Sequence, residues 1–325
     1  MRILLVKTSS LGDVVHNLPV VSDLVRRFPG AVIDWVVEEG FAEIPRLHPA
    51  VRRVIPVAVR RWRRRLWSPA TWHEIRQFRE HLQQGAYDLV LDTQGLLKSA
   101  LIARRARLAP GGRRCGFAAD SAREPLAARF YDQRHHVPKD LHAVERNRQL
   151  AAAAAGSVAA LPLDYGIAAA PLEAGWLREF TKGGGYAVLL TATSRADKEW
   201  PEPDWQALGM ALIATGLRCV LPAGNPDERT RAARLATALG RAIAAPPMSL
   251  AELAALLTGA ALVVGVDTGL VHLATALGRP TLALYCGSDP ALTGVYAGAG
   301  CINLGSRGAP PTAAAAVNQA RRLLA

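Results

Sequence analysis

The sequence predicts an α/β protein built from two doubly wound parallel-sheet domains, and three observations support this fold class. The chain has 325 residues, which is more than a single hydrophobic core usually serves. Short apolar runs, typical of buried parallel strands, are followed repeatedly by segments whose apolar residues recur at helical spacing. The segment 161–175 contains Pro, Gly and several Ala residues, follows neither pattern, and separates the two halves.

Predicted strands and helices alternate from the start of the chain. Residues 3–6 form an apolar run, after which five apolar residues recur at intervals of three and four: Val14, Leu18, Val21, Val25 and Phe28. The same order predicts further strands at 32–37, 89–91, 187–190, 217–221 and 262–266, and further helices at 96–106, from about residue 204, and at 270–277. Alternation of this kind indicates right-handed crossovers and parallel sheets.

These elements define the expected domain organisation. We expect a first domain at 1–163, a linker at 164–175 and a second domain at 176–325. The last predicted helix, at about 312–325, is a candidate to pack back on the first domain. Ligands of open parallel sheets bind at the carboxyl ends of the strands, so we expect the two domains to face one another across a cleft that holds the ligand site.

The positive charge of the chain is concentrated in its first half. Residues 1–150 contain 26 Lys and Arg against 15 Asp and Glu, whereas residues 151–325 contain 13 against 12. The first half therefore carries nearly all of the formal net charge of +12. This asymmetry indicates an anionic partner for the first domain, such as nucleic acid, a membrane surface or an acidic substrate. An arginine-rich proteome is the alternative explanation.

The cysteine pattern and the apolar runs argue against several classes of protein. The four cysteines are far apart and include no C-x-x-C pair, which argues against a disulfide framework and against a zinc site. The apolar run at 3–6 is too short for a secretory signal, and the stretch 253–266 is too short for a membrane span. We therefore expect a cytoplasmic protein.

The first candidate for chemistry lies between the first strand and the first helix, where residues 7–13 read Lys-Thr-Ser-Ser-Leu-Gly-Asp. Gly12 permits a tight turn, and the helix dipole favours the ionised form of Asp13, as a general base requires. The alternative is that Asp13 serves only the N-terminus of the helix. Position alone leaves both interpretations open.

Two segments of the second half are suited to a diphosphate. Residues 263–272 bring Asp267, Thr268 and Gly269 to the N-terminus of a helix, whose free backbone amides can bind phosphate. His272, in the first turn, belongs either to this site or to the core. The loop 190–201 carries hydroxyl groups and then Lys198, which could offset leaving-group charge; a solvated polar loop is the alternative. The sequence has neither a G-x-G-x-x-G fingerprint nor a P-loop motif.

A strongly basic segment with two tryptophans lies in the first half, where residues 60–67 read Arg-Arg-Trp-Arg-Arg-Arg-Leu-Trp. Guanidinium groups bind phosphates and carboxylates, and tryptophan favours a polar–apolar boundary. Such a segment would suit nucleic acid, an anionic membrane or an acidic glycolipid. No helix-turn-helix, zinc-finger or RNA-binding signature accompanies it, which argues against nucleic acid.

Taken together, seven segments resemble the lipopolysaccharide heptosyltransferase I family, which consists of GT-B glycosyltransferases of family 9. The segments span almost the whole chain and lie at 1–13, 34–41, 60–63, 122–126, 142–146, 197–201 and 266–272. The first-half segments distinguish this family from the heptosyltransferases II. The resemblance implies two Rossmann-like domains, the first binding mainly the acceptor and the second the nucleotide-sugar.

The resemblance also implies a reaction. The enzyme would transfer L-glycero-D-manno-heptose from ADP-heptose to a Kdo hydroxyl of Kdo-lipid A, with inversion and without a metal, to place the first heptose of the lipopolysaccharide inner core. ADP-heptose would be a co-substrate, and no cofactor is implied. The enzyme would be a monomer on the cytoplasmic face of the inner membrane, in peripheral contact with anionic lipid and without nucleic acid as a partner. Such an anionic acceptor agrees with the basic first half.

The same resemblance implies roles for individual residues. Asp13 would take the proton from the acceptor hydroxyl, and Lys198 would offset the charge of the leaving group. The other donor-binding residues would be Thr193, Ser194, Glu228 at the ribose, Met248 at the adenine, Asp267, Thr268, Gly269 and His272. The acceptor-binding residues would be Ser10, Gly12, Arg60, Arg63 and Arg123.

Two departures from the family pattern concern the donor site. Thr193-Ser194 stands where Thr-Thr is common and keeps the hydroxyl, whereas residues 286–290 read Cys-Gly-Ser-Asp-Pro in place of Gly-Pro-Thr-Asp-Pro. The second departure would alter a loop near the donor. Three alternatives remain: a type II-like heptosyltransferase, a GT-B nucleotide-sugar epimerase, and a non-catalytic protein that binds anionic membrane or nucleic acid.

Overall fold

The computed structural model describes residues 1–157, 162–193, 195–296 and 300–325. The chain forms two compact units, Met1–Ile167 and Ala168–Ala325, and the division between them falls within the predicted linker. Each unit contains a six-stranded sheet in which neighbouring strands are parallel. The prediction of two parallel-sheet α/β domains is confirmed.

The first unit has the strand order of a Rossmann fold. Its strands are β1 (Arg2–Val6), β2 (Val32–Glu38), β3 (Val51–Val57), β4 (Ala86–Asp92), β5 (Arg107–Phe117) and β6 (Gln133–His135), in the order β3-β2-β1-β4-β5-β6. Its helices are α1 (Leu11–Val15), α2 (Leu18–Arg27), α3 (Glu43–Arg46), α4 (Val59–Trp62), α5 (Pro69–Gln83), α6 (Leu97–Arg105) and α7 (Ala143–Ala154). The strand order reverses between β1 and β4, which makes this pair the topological switch point of the sheet.

The structure divides the first predicted helix into two. The apolar spacing from Val14 to Phe28 predicts one continuous helix, but α1 ends at Val15 and α2 begins at Leu18. Pro19 explains the break, because proline has no N–H to donate to the preceding turn and is tolerated in the first turn of a new helix. The short α1 therefore carries Asp13 on a separate helical turn directly after β1.

The second unit repeats this topology. Its strands are β7 (Tyr186–Leu190), β8 (Arg218–Leu221), β9 (Ala242–Ala244), β10 (Leu262–Val266), β11 (Thr281–Tyr285) and β12 (Cys301–Gly305), in the order β12-β11-β10-β7-β8-β9. Its helices are α8 (Gly175–Thr181), α9 (Glu202–Ala214), α10 (Pro226–Leu239), α11 (Leu250–Thr258), α12 (Gly269–Ala276), α13 (Pro290–Thr293) and α14 (Ala313–Leu324). Here the switch point lies between β7 and β10.

The last helix, α14, packs against elements of its own unit. The sequence makes it a candidate to pack on the first domain; in the structure it lies against α9 and against β10, β11 and β12. Ala316 and Ala320 are its buried residues. Their small side chains allow the helix to approach the sheet closely, and they join the same hydrophobic cluster as Trp200 and Trp205.

Candidate active site

The switch point of the first sheet brings together the loops that follow β1 and β4. The side-chain oxygen of Gln94, after β4, accepts hydrogen bonds from the backbone N–H groups of Thr8 (2.9 Å) and Ser9 (3.1 Å), after β1. Ligands of open α/β sheets bind at this position because the two loops diverge there. The structure thus places the predicted segment 7–13 at the expected ligand-binding edge of the first sheet.

Asp13 is held by the residue that precedes its helix. One carboxylate oxygen, Oδ2, accepts hydrogen bonds from the backbone N–H of Ser10 (2.8 Å) and from the Ser10 hydroxyl (3.0 Å). Ser10 is exposed, Gly12 and Asp13 are half-buried, and Asp13 lies in the first turn of α1. These two bonds fix the orientation of the Asp13 side chain. The geometry therefore agrees with both interpretations of Asp13, a helix N-terminal residue and a base beside solvent.

Two lysines, one within this segment and one near it, were assigned no role from the sequence. Lys7 is buried, and its Nζ donates to the backbone oxygen of Thr93 (2.8 Å); burial lowers the pKa of Lys7, against the opposing charge of Asp13. Lys98, in the first turn of α6, donates to the hydroxyl of Ser9 (3.1 Å). Burial lowers the pKa of Lys98 as well. Lys7 directly follows β1, and Lys98 lies in the helix that follows β4. Their position after the two central strands is the signal that could have identified them.

The three predicted acceptor arginines are exposed and lie around this edge of the sheet. Besides burial, the charges of Arg60 and Arg63 lower the pKa of Lys98, and the charge of Arg123 similarly affects Lys7. The guanidinium of Arg60 stacks over the ring of Phe41, 5.5 Å from its centroid. The three arginines therefore add positive potential near the two lysines of this edge, as an anionic acceptor would require.

The switch point of the second sheet holds an ion pair between two predicted site residues. Lys198 Nζ donates to Oδ2 of Asp267 at 2.6 Å, and the Ser288 hydroxyl donates to the same oxygen at 2.6 Å. The Thr193 hydroxyl donates to the backbone oxygen of Asp267 (3.0 Å). Thr193 and Lys198 follow β7, Asp267 follows β10 and Ser288 follows β11, so three strand ends contribute to one cluster.

Asp267 is held in its ionised form. Burial by itself would raise the pKa of this carboxyl, but hydrogen bonds from Lys198 and Ser288 and the nearby His272 outweigh burial and hold the pKa well below its usual range. His272 is buried on α12, with Nε2 3.8 Å from Oδ1 of Asp267. A carboxylate with this environment stays charged throughout the pH range of an ordinary assay.

The N-terminus of α12 lies next to this carboxylate. Thr268 is the N-cap residue with extended backbone, and Gly269 is the first residue of the helix. Helix N-terminal amides and a nearby ammonium group together suit a diphosphate. Trp200, two residues after Lys198, is buried, packs edge-on against Trp205 and donates its indole N–H to the backbone oxygen of Pro311 (2.8 Å), which anchors the end of this loop.

A polar cleft of about 850 Å³ opens beside the β7 loop, and Thr193 and Glu228 both line it. The Glu228 carboxylate also accepts bonds from the backbone N–H of Gly224 (2.8 Å) and from the side chain of Asn225 (2.7 Å) at the start of α10. Met248 is half-buried in the loop between β9 and α11. Ser194, the remaining predicted donor residue, lies outside the described residues.

The unusual loop at 286–290 contacts the turn that carries Lys198. Gly287 is buried, and a Cβ atom at this position would lie 2.5 Å from the backbone oxygen of Asp197. Ser288 stands where the family pattern that the sequence resembles has threonine, and its hydroxyl donates to Asp267. The loop therefore retains a hydroxyl at the cluster while its backbone approaches the neighbouring turn.

Two further observations concern the described residues only. Within these ranges, no three His, Cys, Asp or Glu side chains come together as a set that could hold a metal ion. Every helix in the described part of the chain is too short or too polar to cross a membrane.

Comparison with known proteins identifies relatives that cover nearly the full chain. A sequence model of glycosyltransferase family 9 (heptosyltransferase) matches residues 75–316. A Pseudomonas aeruginosa protein named lipopolysaccharide heptosyltransferase 1 is 48% identical over 306 residues, which cover 94% of this chain and 84% of that protein. The solved structure of E. coli heptosyltransferase WaaC with ADP is 44% identical, with a TM-score of 0.88 and coverage of 100% of both chains. A second WaaC structure, with ADP-2-deoxy-2-fluoro heptose, is 42% identical, with a TM-score of 0.83 and coverage of 100% of this chain and 99% of the other.

These similarities confirm the resemblance inferred from the seven sequence segments. They also confirm the expected class of fold and the expected glycosyltransferase activity, in preference to the epimerase and the non-catalytic binding protein. The chain belongs to glycosyltransferase family 9, the heptosyltransferase family.

Proposed function

We propose that this enzyme transfers L-glycero-D-manno-heptose from ADP-heptose to a Kdo hydroxyl of Kdo-lipid A with inversion at the anomeric carbon. The observation that carries the proposal is that the two switch points are chemically complementary. The first presents a carboxylate, Asp13, among cationic side chains, and the second presents Lys198 next to a helix N-terminus. The ligands of the WaaC structures, ADP and a fluorinated ADP-heptose, support the choice of donor.

In the proposed donor site, Lys198 and the amides around Thr268 and Gly269 bind the diphosphate. Thr193 and Ser194 contribute hydroxyl groups to the same site. Asp267 and His272 shape the pocket next to the diphosphate, and Glu228 binds the ribose from the polar cleft. Met248 lies against the adenine.

In the proposed acceptor site, Ser10, Gly12, Arg60, Arg63 and Arg123 surround the Kdo group and its neighbouring anionic groups. The acceptor oxygen attacks the anomeric carbon while the bond from that carbon to the diphosphate oxygen breaks. ADP leaves with the bonding electrons, and Asp13 takes the proton of the acceptor hydroxyl. A single displacement needs one base and inverts the configuration. Lys198 and the helix amides supply the positive charge, so the proposed reaction uses neither a metal nor a cofactor.

The proposal is tested by a mass-spectrometric transfer assay with the full-length protein and ADP-heptose. Three acceptors are compared: deacylated Kdo-lipid A in the first arm, deacylated lipid A without Kdo in the second, and deacylated Kdo-lipid A that already carries one heptose in the third. We expect a product heavier by one heptose only in the first arm. Transfer to the acceptor without Kdo, or transfer only to an acceptor that already carries heptose, would contradict the proposed step and favour a type II-like reaction.

We further propose that the enzyme is a monomer in peripheral contact with the cytoplasmic face of the inner membrane. A patch formed by Arg63, Arg64, Arg65, Leu66, Trp67 and Trp72, here called the basic–aromatic patch, supports this contact. Trp67 is fully exposed, Trp72 is 57% exposed, and the Trp72 indole donates to the backbone oxygen of Leu66 (2.8 Å). Exposed tryptophan beside arginine is typical of surfaces that bind the boundary of an anionic bilayer.

Replacing Arg63, Arg64 and Arg65 with alanine is expected to weaken binding to anionic vesicles about a hundredfold, because each basic residue near such a surface contributes about 1 kcal/mol and each 1.4 kcal/mol is a tenfold change. Flotation with vesicles of anionic and of neutral lipid measures the effect. The matched control replaces Arg104, Arg105 and Arg107 with alanine. These arginines are also exposed, and their replacement removes the same amount of positive charge. Equal weakening by both triple variants would contradict the assignment of the basic–aromatic patch.

A further inference from the structure

One carboxylate oxygen at the second switch point is shared by two donors. Both Lys198 Nζ and the Ser288 hydroxyl lie 2.6 Å from Oδ2 of Asp267. The Asp267 side chain is only 11% exposed, and that of Lys198 is 18% exposed. Bulk water therefore has little access to the shared oxygen, and Asp267 depends on protein donors to stay ionised.

This ion pair opposes donor binding. In the proposed function, Lys198 offsets the charge of the diphosphate, but in the structure its ammonium group is bound to Asp267. A lysine that turns toward a diphosphate must give up part of this contact. Removing one partner from a largely buried pair is costly, because the remaining charge is left without compensation. The cost falls if another donor stays on the carboxylate.

Ser288 is placed to remain on Asp267 after Lys198 moves. Its backbone belongs to the loop after β11, whereas Lys198 follows β7, so the two donors reach Oδ2 from different elements. The preceding residue, Gly287, fixes this loop because it packs directly against the backbone of Asp197. The Ser288 hydroxyl can therefore keep its bond to Oδ2 without following the lysine.

We infer that Ser288 is a positioning residue that holds the Asp267 carboxylate in place while Lys198 is released to the donor diphosphate. The inference rests on the proposed function, because it takes the diphosphate to be the second partner of Lys198. Ser288 acts through Asp267 and Lys198, and it makes no contact with the reacting atoms in this role. When the donor binds, Lys198 exchanges its contact with Asp267 for one with the diphosphate. The Ser288 hydroxyl lowers the energetic cost of this exchange.

The test is a double-mutant cycle on ADP affinity, measured by isothermal titration calorimetry with the full-length protein. Ser288→Ala is expected to weaken ADP binding about three- to tenfold, the size of an ordinary net hydrogen-bond contribution, because the lost bond acts on ADP only through Asp267 and Lys198. Ser288→Thr keeps the hydroxyl and should bind ADP within about twofold of the unchanged protein. Ser288→Cys, a weaker donor of similar size, should give an intermediate loss.

The second arm of the cycle repeats the changes in a Lys198→Met background. With no lysine to release, Ser288→Ala should weaken ADP binding less than about twofold further, since the two effects are coupled. A merely structural role for Ser288 would instead give the same loss in both backgrounds. Ser306→Ala, at another half-buried serine of this unit, is the matched control and should leave ADP affinity unchanged.

The outcomes separate the inference from the function on which it rests. Full ADP affinity in Ser288→Ala, or an equal loss with and without Lys198, would overturn the role of Ser288 and leave the donor site intact. Full ADP affinity in Lys198→Met alone would overturn the assignment of Lys198 to the diphosphate, and the role of Ser288 with it. If the alanine variant is unstable, the threonine and cysteine variants are compared instead. Their ADP affinities can be compared directly when both variants have normal melting temperatures.

Discussion

Asp13→Asn is expected to lower kcat for heptosyl transfer about a thousandfold, within the 10²–10⁴ range of a lost general base. Asparagine has nearly the same shape, and its amide oxygen can accept the two hydrogen bonds that Ser10 donates to Asp13. It cannot take a proton from the acceptor. The structure of α1 should therefore persist while the proton transfer is lost.

The assay for Asp13 combines the transfer rate with two controls. ADP affinity should stay within about twofold, because Asp13 belongs to the first unit and the donor is assigned to the second. Asp88→Asn makes the same chemical change at a half-buried carboxylate outside the site and should retain transfer. If Asp13→Asn kept more than a tenth of the normal kcat, Asp13 would serve only as a helix N-terminal residue, the alternative that the sequence leaves open.

Lys198→Met is expected to lower kcat/KM about 10²–10³-fold, the loss typical of removing one preorganised electrostatic contact to developing charge. Methionine keeps most of the length and apolar character of the side chain but has no ammonium group to offset the charge on the departing ADP. Because the diphosphate is already anionic before reaction, we expect weaker ADP binding as well as a lower kcat. Asp13→Asn should change kcat alone.

Steady-state kinetics and calorimetry on the same preparations measure both effects of Lys198. The matched control is Lys139→Met, at an exposed lysine of the first unit, which removes the same charge elsewhere. Retention of normal kcat and normal ADP affinity in Lys198→Met would show that its ion pair with Asp267 is only structural. Loss of ADP affinity in the Lys139 variant would show that general charge, and not position, governs donor binding.

The central strands of both sheets could be predicted from the sequence, but several other strands could not. β1, β7 and β10 are almost wholly buried, and β4 is buried over residues 89–92, so apolar runs mark all four strands in the sequence. β5 reads Arg-Leu-Ala-Pro-Gly-Gly-Arg-Arg-Cys-Gly-Phe and is partly exposed, so it shows no such run. The edge strand β9 has three half-buried residues, too few to form a pattern.

The residues of the candidate site could be predicted better than their contacts. Lys198 and Asp267 were each identified from their position after a strand, but their ion pair joins residues far apart in the chain. It forms because β7 and β10 are neighbours in the sheet. The spacing of apolar residues along the sequence does not reveal the order of the strands. The burial of Lys7, which lowers its pKa, likewise depends on elements packed around it that the local sequence does not reveal.

The close approach of Gly287 to Asp197 has a consequence for exchanging parts between family members. The family pattern that the sequence resembles has proline at the position of Gly287, and here its Cβ atom would lie 2.5 Å from the backbone oxygen of Asp197, in the turn that carries Lys198. A graft of residues 286–290 alone would therefore displace the lysine that it was meant to serve. A chimera that keeps a working donor site must therefore take both the loop 286–290 and the turn that carries Lys198 from the same family member.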